Sequence, residues 1–141
     1  MADIYFSDIN RTQIYRLPIL PPEMPELETE ANNEEFETFN NGIYNILGNK
    51  GLVQFTIESF IPGKDHDYPF AKAKYDNPYD LINLWHGSMV NKIPVRCIMY
   101  RNNKTEILNW LVSIDNLKWH EDKAGDIKYS VTCKEYRQVT L

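Results

Sequence analysis

The chain has 141 residues (16.6 kDa), the length of one ordinary domain, and its 43% hydrophobic and 25% charged residues suit a packed core and exclude a disordered tail. A formal charge of −5 and a sequence pI near 5.2 give the wrong sign for a protein that neutralises phosphates, so sequence-specific nucleic-acid binding is not expected. No apolar run approaches the roughly 18 residues of a membrane helix, and residues 1–8 carry neither a basic nor an apolar leader, so no membrane role is expected. Aromatics reach 13%, which leans toward sheet. Two cysteines, Cys97 and Cys133, make no disulfide framework and fit synthesis in a reducing cytoplasm.

Charge is unevenly spread. From Leu17 to Asn49 there is no Lys or Arg, while seven glutamates fall there; the rest of the chain carries 13 acids against 15 bases. The expected organisation is an N-terminal unit, residues 1–33, of short strands and a proline-rich acidic arm, followed by a β domain over residues 34–141.

Residues 4–6 and 13–17 alternate polar and apolar and read as short strands joined by a turn. Pro18, Pro21, Pro22 and Pro25 then forbid both a helix interior and a central strand, so this stretch is expected to be an extended arm. Its apolar members Ile19, Leu20 and Met24 need cover. The arm either drapes over its own domain or docks on a neighbouring subunit through Pro18, Ile19, Leu20, Pro21, Pro22 and Met24. Residues 34–40 suit a strand or a loop, and Asn40-Asn41-Gly42 is a strong turn signal before a short strand at 43–46. Gly48-Asn49-Lys50-Gly51 reads as another turn. Val53, Phe55, Ile57 and Ile61 alternate with Gln54, Thr56 and Glu58, predicting a half-buried strand over 52–61.

Residues 65–76 are polar and irregular. A helix is expected over 77–91, with Asn77 as N-cap, Pro78 at the first helical position and Asp80 in the first turn. Leu81, Ile82, Trp85 and Met89 give it one apolar stripe, and Gly87 is expected to admit another backbone. Three strands follow: 95–100, a turn at 101–104, a long strand from 106, and a last strand from Ile127 toward Val139. Leu108, Trp110, Val112 and Ile114 share one face and are expected to be buried with Phe55 and Ile57. Leu117 and Trp119 then break the parity, which requires a bulge at Asp115-Asn116.

No specific catalytic constellation stands out, and no cofactor is expected. His66, His86 and His120 are scattered, and no His-x-x-x-His or Cys-x-x-Cys spacing supports a metal site. Asp65-His66-Asp67 reads better as a solvated loop than as a cation site. Cys97 with His120 is the one conceivable nucleophile and base, but Cys97 and Cys133 both alternate in phase with apolar neighbours and read as small core residues. Trp85 and Trp110 lie in apolar stripes, so core is their default; with Trp119 they are also the residues a glycan-binding module would use.

The opening Asp3-Ile-Tyr-Phe-Ser, the run Leu17-Pro-Ile-Leu-Pro-Pro-Glu-Met-Pro, the block Glu34-Glu-Phe-Glu-Thr-Phe-Asn-Asn-Gly, and the ending Trp119-His-Glu-Asp-Lys-Ala-Gly-Asp-Ile-Lys-Tyr-Ser with Lys134-Glu-Tyr-Arg supply a family likeness. Together they resemble the LysM-containing tail protein of contractile phages, defective prophages and phage-tail-like bacteriocins of Gram-positive bacteria. The resemblance implies a mainly β fold, an antiparallel β-barrel or sandwich of tail-tube type with one α-helix. It implies a structural, non-enzymatic role in the baseplate, as a six-fold ring that joins the tail tube to the central hub. The implied partners are further copies of the chain, the tail tube protein, the hub, and tape-measure or sheath-proximal proteins. The implied place is the virion or particle, after synthesis in the bacterial cytoplasm. The LysM module that members commonly carry has no counterpart here, so peptidoglycan binding does not carry over. In such a ring the acid-rich segment, with Glu28, Glu30, Glu34 and Glu35, is expected either to line a lumen that repels phosphate or to solvate a loop.

Overall fold

A computed structural model of the chain describes residues 2–101 and 105–137. The central part of the expected turn at 101–104 and the far end of the last strand lie outside those residues. Among them the chain forms β1 (Asp3–Ser7), β2 (Ile14–Arg16), β3 (Glu34–Thr38), β4 (Gly42–Ile46), β5 (Gln54–Ile61), α1 (Asp80–Asn91), β6 (Val95–Tyr100), β7 (Glu106–Glu121) and β8 (Ile127–Glu135). The fold is mainly antiparallel β with one helix. Six strands in the order β2-β1-β6-β7-β8-β5 make a sheet that curls into a half-barrel, and β3 with β4 makes a separate ribbon.

The period-2 patterns decide which face is covered. Ile4 and Phe6 of β1, Val95, Cys97 and Met99 of β6, Leu108 and Val112 of β7, Val131 and Cys133 of β8, and Phe55 and Ile57 of β5 all point to one side and are buried. Helix α1 covers that side with Leu81, Ile82 and Trp85. Trp85 is fully buried, edge-on to Phe6 at 5.1 Å and against Tyr129 at 5.0 Å. The parity slip in β7 is absorbed where expected: Ile114 pairs with Cys133 and Asn116 with Thr132, leaving Asp115 as the extra residue. Leu117 and Trp119 thereby return to the side of Val131 and Tyr129.

Four local expectations are corrected. The helix starts at Asp80, not Asn77, and its N-cap is Tyr79; the Asn77 side chain instead accepts from the Tyr79 N–H (3.1 Å), closing a turn ahead of the helix. Met89 leaves the apolar stripe and is 40% exposed, because the last turn of α1 runs past the edge of the core. Gly87 admits no backbone: a Cβ there would meet open space. Residues 48–51 are not a turn. They run antiparallel to 28–33, bridged at Glu28–Gln54 and Ala31–Lys50, and a Cβ at Gly48 would lie 1.7 Å from the Asn32 carbonyl oxygen. The glycine there serves close approach of two backbones.

The segments grouped by sequence as 1–33 and 34–141 share one sheet, since β1 pairs with both β2 and β6. The proline arm has no regular helix. Leu17, Pro18 and Ile19 are buried, and Leu20 and Met24 pack on the core. Ser59 Oγ donates to the Ile19 carbonyl (2.8 Å), and the Lys72 N–H to the Pro18 carbonyl (2.7 Å). The arm thus approaches the outer edge of β5 at Ser59 and at Gln54, where prolines cannot extend a ladder.

Candidate functional site

Beyond the bridges at 28–33 the chain continues into β3 and returns through β4, so residues 28–54 form one long antiparallel ribbon. Register divides its tip into two faces. Glu34, Phe36 and Thr38 share a face with Tyr44 and Ile46; Glu35 and Glu37 share the other with Ile43 and Asn45. Phe36 and Tyr44 stack at 5.6 Å, 24° between planes. Gly42, at φ 84°, closes the turn, and Thr38 Oγ1 both donates to its carbonyl and accepts from the Asn41 N–H. Among the described residues nothing covers this element. Phe36, Ile43, Tyr44, Ile46 and Leu47 are 46–79% exposed, and Phe39 at the turn is wholly exposed. A two-stranded ribbon on its own is marginal in water, and a contiguous apolar patch of this kind marks a contact surface. The predicted acids Glu28, Glu30, Glu34 and Glu35 all lie on this ribbon and are all exposed. Sequence reading picked out those acids but not the apolar residues between them, although alternation around an Asn-Asn-Gly turn was visible.

Two polar clusters hold the long loop between β5 and α1. At one end Asp126, 5% exposed, accepts from the Gly63 N–H (2.8 Å), Tyr68 OH (2.7 Å) and His66 Nδ1 (2.6 Å). Burial pushes the Asp126 carboxyl up, but the Tyr68, Gly63 and His66 hydrogen bonds outweigh it and hold it below the ordinary range. At the other end Asp3 Oδ1 accepts from Arg16 Nη2 (2.8 Å) and Lys72 Nζ (3.2 Å). Burial again opposes, and here the hydrogen bonds and charges of Arg16 and Lys72 outweigh it, holding Asp3 below the ordinary range. Of the Asp65-His66-Asp67 group, His66 is therefore committed to Asp126 and Asp67 to Lys74. The structural role of Asp126 was not read from the sequence, where 121–126 reads simply as a loop before the last strand.

The conceivable Cys97–His120 pair is not assembled. Cys97 points into the core, fully buried, and burial, with Cys133 beside it, raises its thiol well above the usual value. His120 pairs with Lys128 on the opposite face of the sheet. Trp85 is core; Trp110, expected to be buried with its strand neighbours, is instead only half-buried against the core. Trp119, 42% exposed, meets His86 at 5.9 Å. The three tryptophans form no shared platform.

Two hollows flank the helix. The larger, about 580 Å³, lies between α1 and the β1–β2 turn and is lined by Tyr15, Leu84, Gly87, Asp8 and Asp80 among others. The smaller, about 250 Å³, lies at the C-terminal end of α1, lined by Met89, Lys92, Ile93, Pro94, Ile114 and Tyr136. Lys92 there adopts the left-handed conformation (φ 57°) that ends the helix.

No family model and no curated protein matches the chain. Solved structures do. The chain aligns over 98% of its length with a chain from the tail of an empty GTA particle refined with C6 symmetry, covering 92% of that chain (TM-score 0.57, 10% identity). It aligns over 96% with a chain of the six-fold symmetrised anti-feeding prophage (AFP) baseplate, covering 89% of that chain (TM-score 0.50, 9% identity). The chain folds like a tail and baseplate subunit. At these identities the likeness is one of fold, and it extends over nearly the whole chain, strands and helix together.

Proposed function

We propose that this protein is a structural component of a contractile phage tail or phage-tail-like particle, placed in the baseplate as a six-fold ring between the tail tube and the hub. The observation that carries the reading is the apolar ribbon at 34–47, a surface that a lone monomer has no use for. The likeness to subunits of six-fold tail and baseplate assemblies supports it. So does the open-edged sheet, since a closed ring satisfies edges and patches that a monomer leaves bare. The sequence resemblance to the LysM-containing tail protein supports the hub-proximal position and the phage or bacteriocin setting.

The burial of Pro18 and Ile19 in their own domain leaves Pro22 and its neighbours as the part of the arm that meets other tail proteins. A channel-facing place suits Glu28 and Glu30 on the ribbon stem, while Glu34 and Glu35 belong to its docking tip. The role is architectural, and no residue is assigned a catalytic part. A reconstruction of the assembled particle tests the reading. Six copies at the tube end are expected; another copy number, or a position on outer wedges or fibres, contradicts it.

A further inference from the structure

The apolar ribbon needs a receptor, and the receptor can be sought on the same chain because a ring subunit meets copies of itself through heterologous contacts. This step therefore rests on the ring reading. The ribbon's chemistry is specific: an apolar face of Phe36, Tyr44 and Ile46, a bare Phe39 at its tip, and Glu34, Glu35 and Glu37, with no Lys or Arg between Leu17 and Asn49. A matching surface offers apolar side chains and positive charge.

The two hollows beside α1 differ on this point. The 580 Å³ groove carries Asp8 and Asp80 on its rim and sets like charge against the ribbon's glutamates. The 250 Å³ hollow at the helix end holds Lys92 and no carboxylate among its described lining residues. At and beside it Met89, Val90, Ile93 and Tyr136 stay 40–64% exposed, so apolar surface is bare here too. Ile93 is fixed by its N–H on the Ser88 carbonyl (3.2 Å) and its carbonyl on Ser88 Oγ (2.5 Å), so the hollow is built on rigid backbone.

We propose that the ribbon of one subunit docks on the helix end of a second copy, Phe39 entering the hollow formed by Met89, Ile93, Pro94, Ile114 and Tyr136, with Lys92 facing the ribbon's glutamates. Both apolar patches and the two opposite charge sets are covered in one contact. Repeated round the ring it uses every ribbon and every hollow once.

The test is oxidative cross-linking of assembled particles that carry Phe39→Cys with Met89→Cys in the same chain, and separately Asn40→Cys with Ile93→Cys, both tip residues against the same hollow. Native Cys97 and Cys133 are buried and leave the background low. A ladder of cross-linked species from at least one pair, absent in dissociated subunits, is the expected result. Intact rings with no cross-link from either pair overturn the contact while leaving the ring standing; unmodified particles with no ring of this chain overturn both. In parallel, Lys92→Glu should lower incorporation into particles several-fold, and adding Glu37→Lys to the same chain should restore most of it. Full incorporation of Lys92→Glu alone contradicts the charge match.

Discussion

β5 and the β3–β4 ribbon are written in the same alphabet and end in opposite environments. Each alternates Phe and Ile with polar residues. Phe55 and Ile57 of β5 are 3% and 0% exposed, whereas Phe36 and Ile43 of the ribbon are 46% and 66% exposed. The difference lies in what stands opposite. β5 pairs with β8 along its whole length and faces the helix layer, while among the described residues β3 and β4 pair with each other alone. Alternation therefore identifies a strand with one apolar face, and the second layer, from the same chain or another, decides whether that face is core or interface.

The contrast is tested most strongly in the body. Trp85→Ala removes the largest fully buried side chain, between Phe6 and Tyr129, and should cost about 3–5 kcal/mol in urea unfolding. Trp110→Ala, at a half-buried position, should cost clearly less; equal losses would mean that the two tryptophans share one environment.

Next comes the Asp126 cluster. Asp126→Ala strips three donors of their acceptor and should cost about 1–3 kcal/mol. Its pH signature has a definite sign. Asp126, Asp3 and Glu135 are all held below the ordinary carboxylate range in the folded chain, so the unfolded chain binds protons more readily. Their contribution is complete above the unfolded value of about 4 and is lost as pH falls through the lower folded values. Melting temperature should drop from pH 5 to pH 2, and less steeply in Asp126→Asn.

A smaller effect of opposite sign is expected at the helix. A methyl at Gly87 meets nothing within 4 Å, so Gly87→Ala should stabilise the fold by about 0.5–1 kcal/mol. Destabilisation would show that the site is occupied in the folded chain.

The ribbon should respond least. Replacing Phe39, Ile43 and Leu47 together by Ser should change monomer unfolding by less than about 0.5 kcal/mol, because all three side chains are mostly exposed. The same variant should fail to enter particles in a pull-down or micrograph. A large loss of monomer stability would erase the contrast between ribbon and body.

The strand order along the chain was legible because each element carries a local mark. The alternation of β5 and β8, the parity slip at Asp115 and the Asn-Asn-Gly turn all report short-range geometry, and they landed on the observed pairs. The misread points are those where distant backbone intervenes. Gly48 looked like a turn residue and is a crossing point against Asn32. Met89 fits the helical stripe, yet the core ends one turn before it. Asp126 carried no sequence signal, because its three donors come from residues some sixty positions away.

By itself, then, the sequence determined periods: which residues share a strand face, which share a helix face, and where the chain turns. These follow from backbone geometry over a few residues. Only the tertiary structure decided which faces are covered. The proline arm's Ile19 finds cover in its own domain, the ribbon's Phe39 finds none, and nothing in the local pattern of either separates them. Burial depends on a second surface arriving from far along the chain, or from another subunit, and that information is not local.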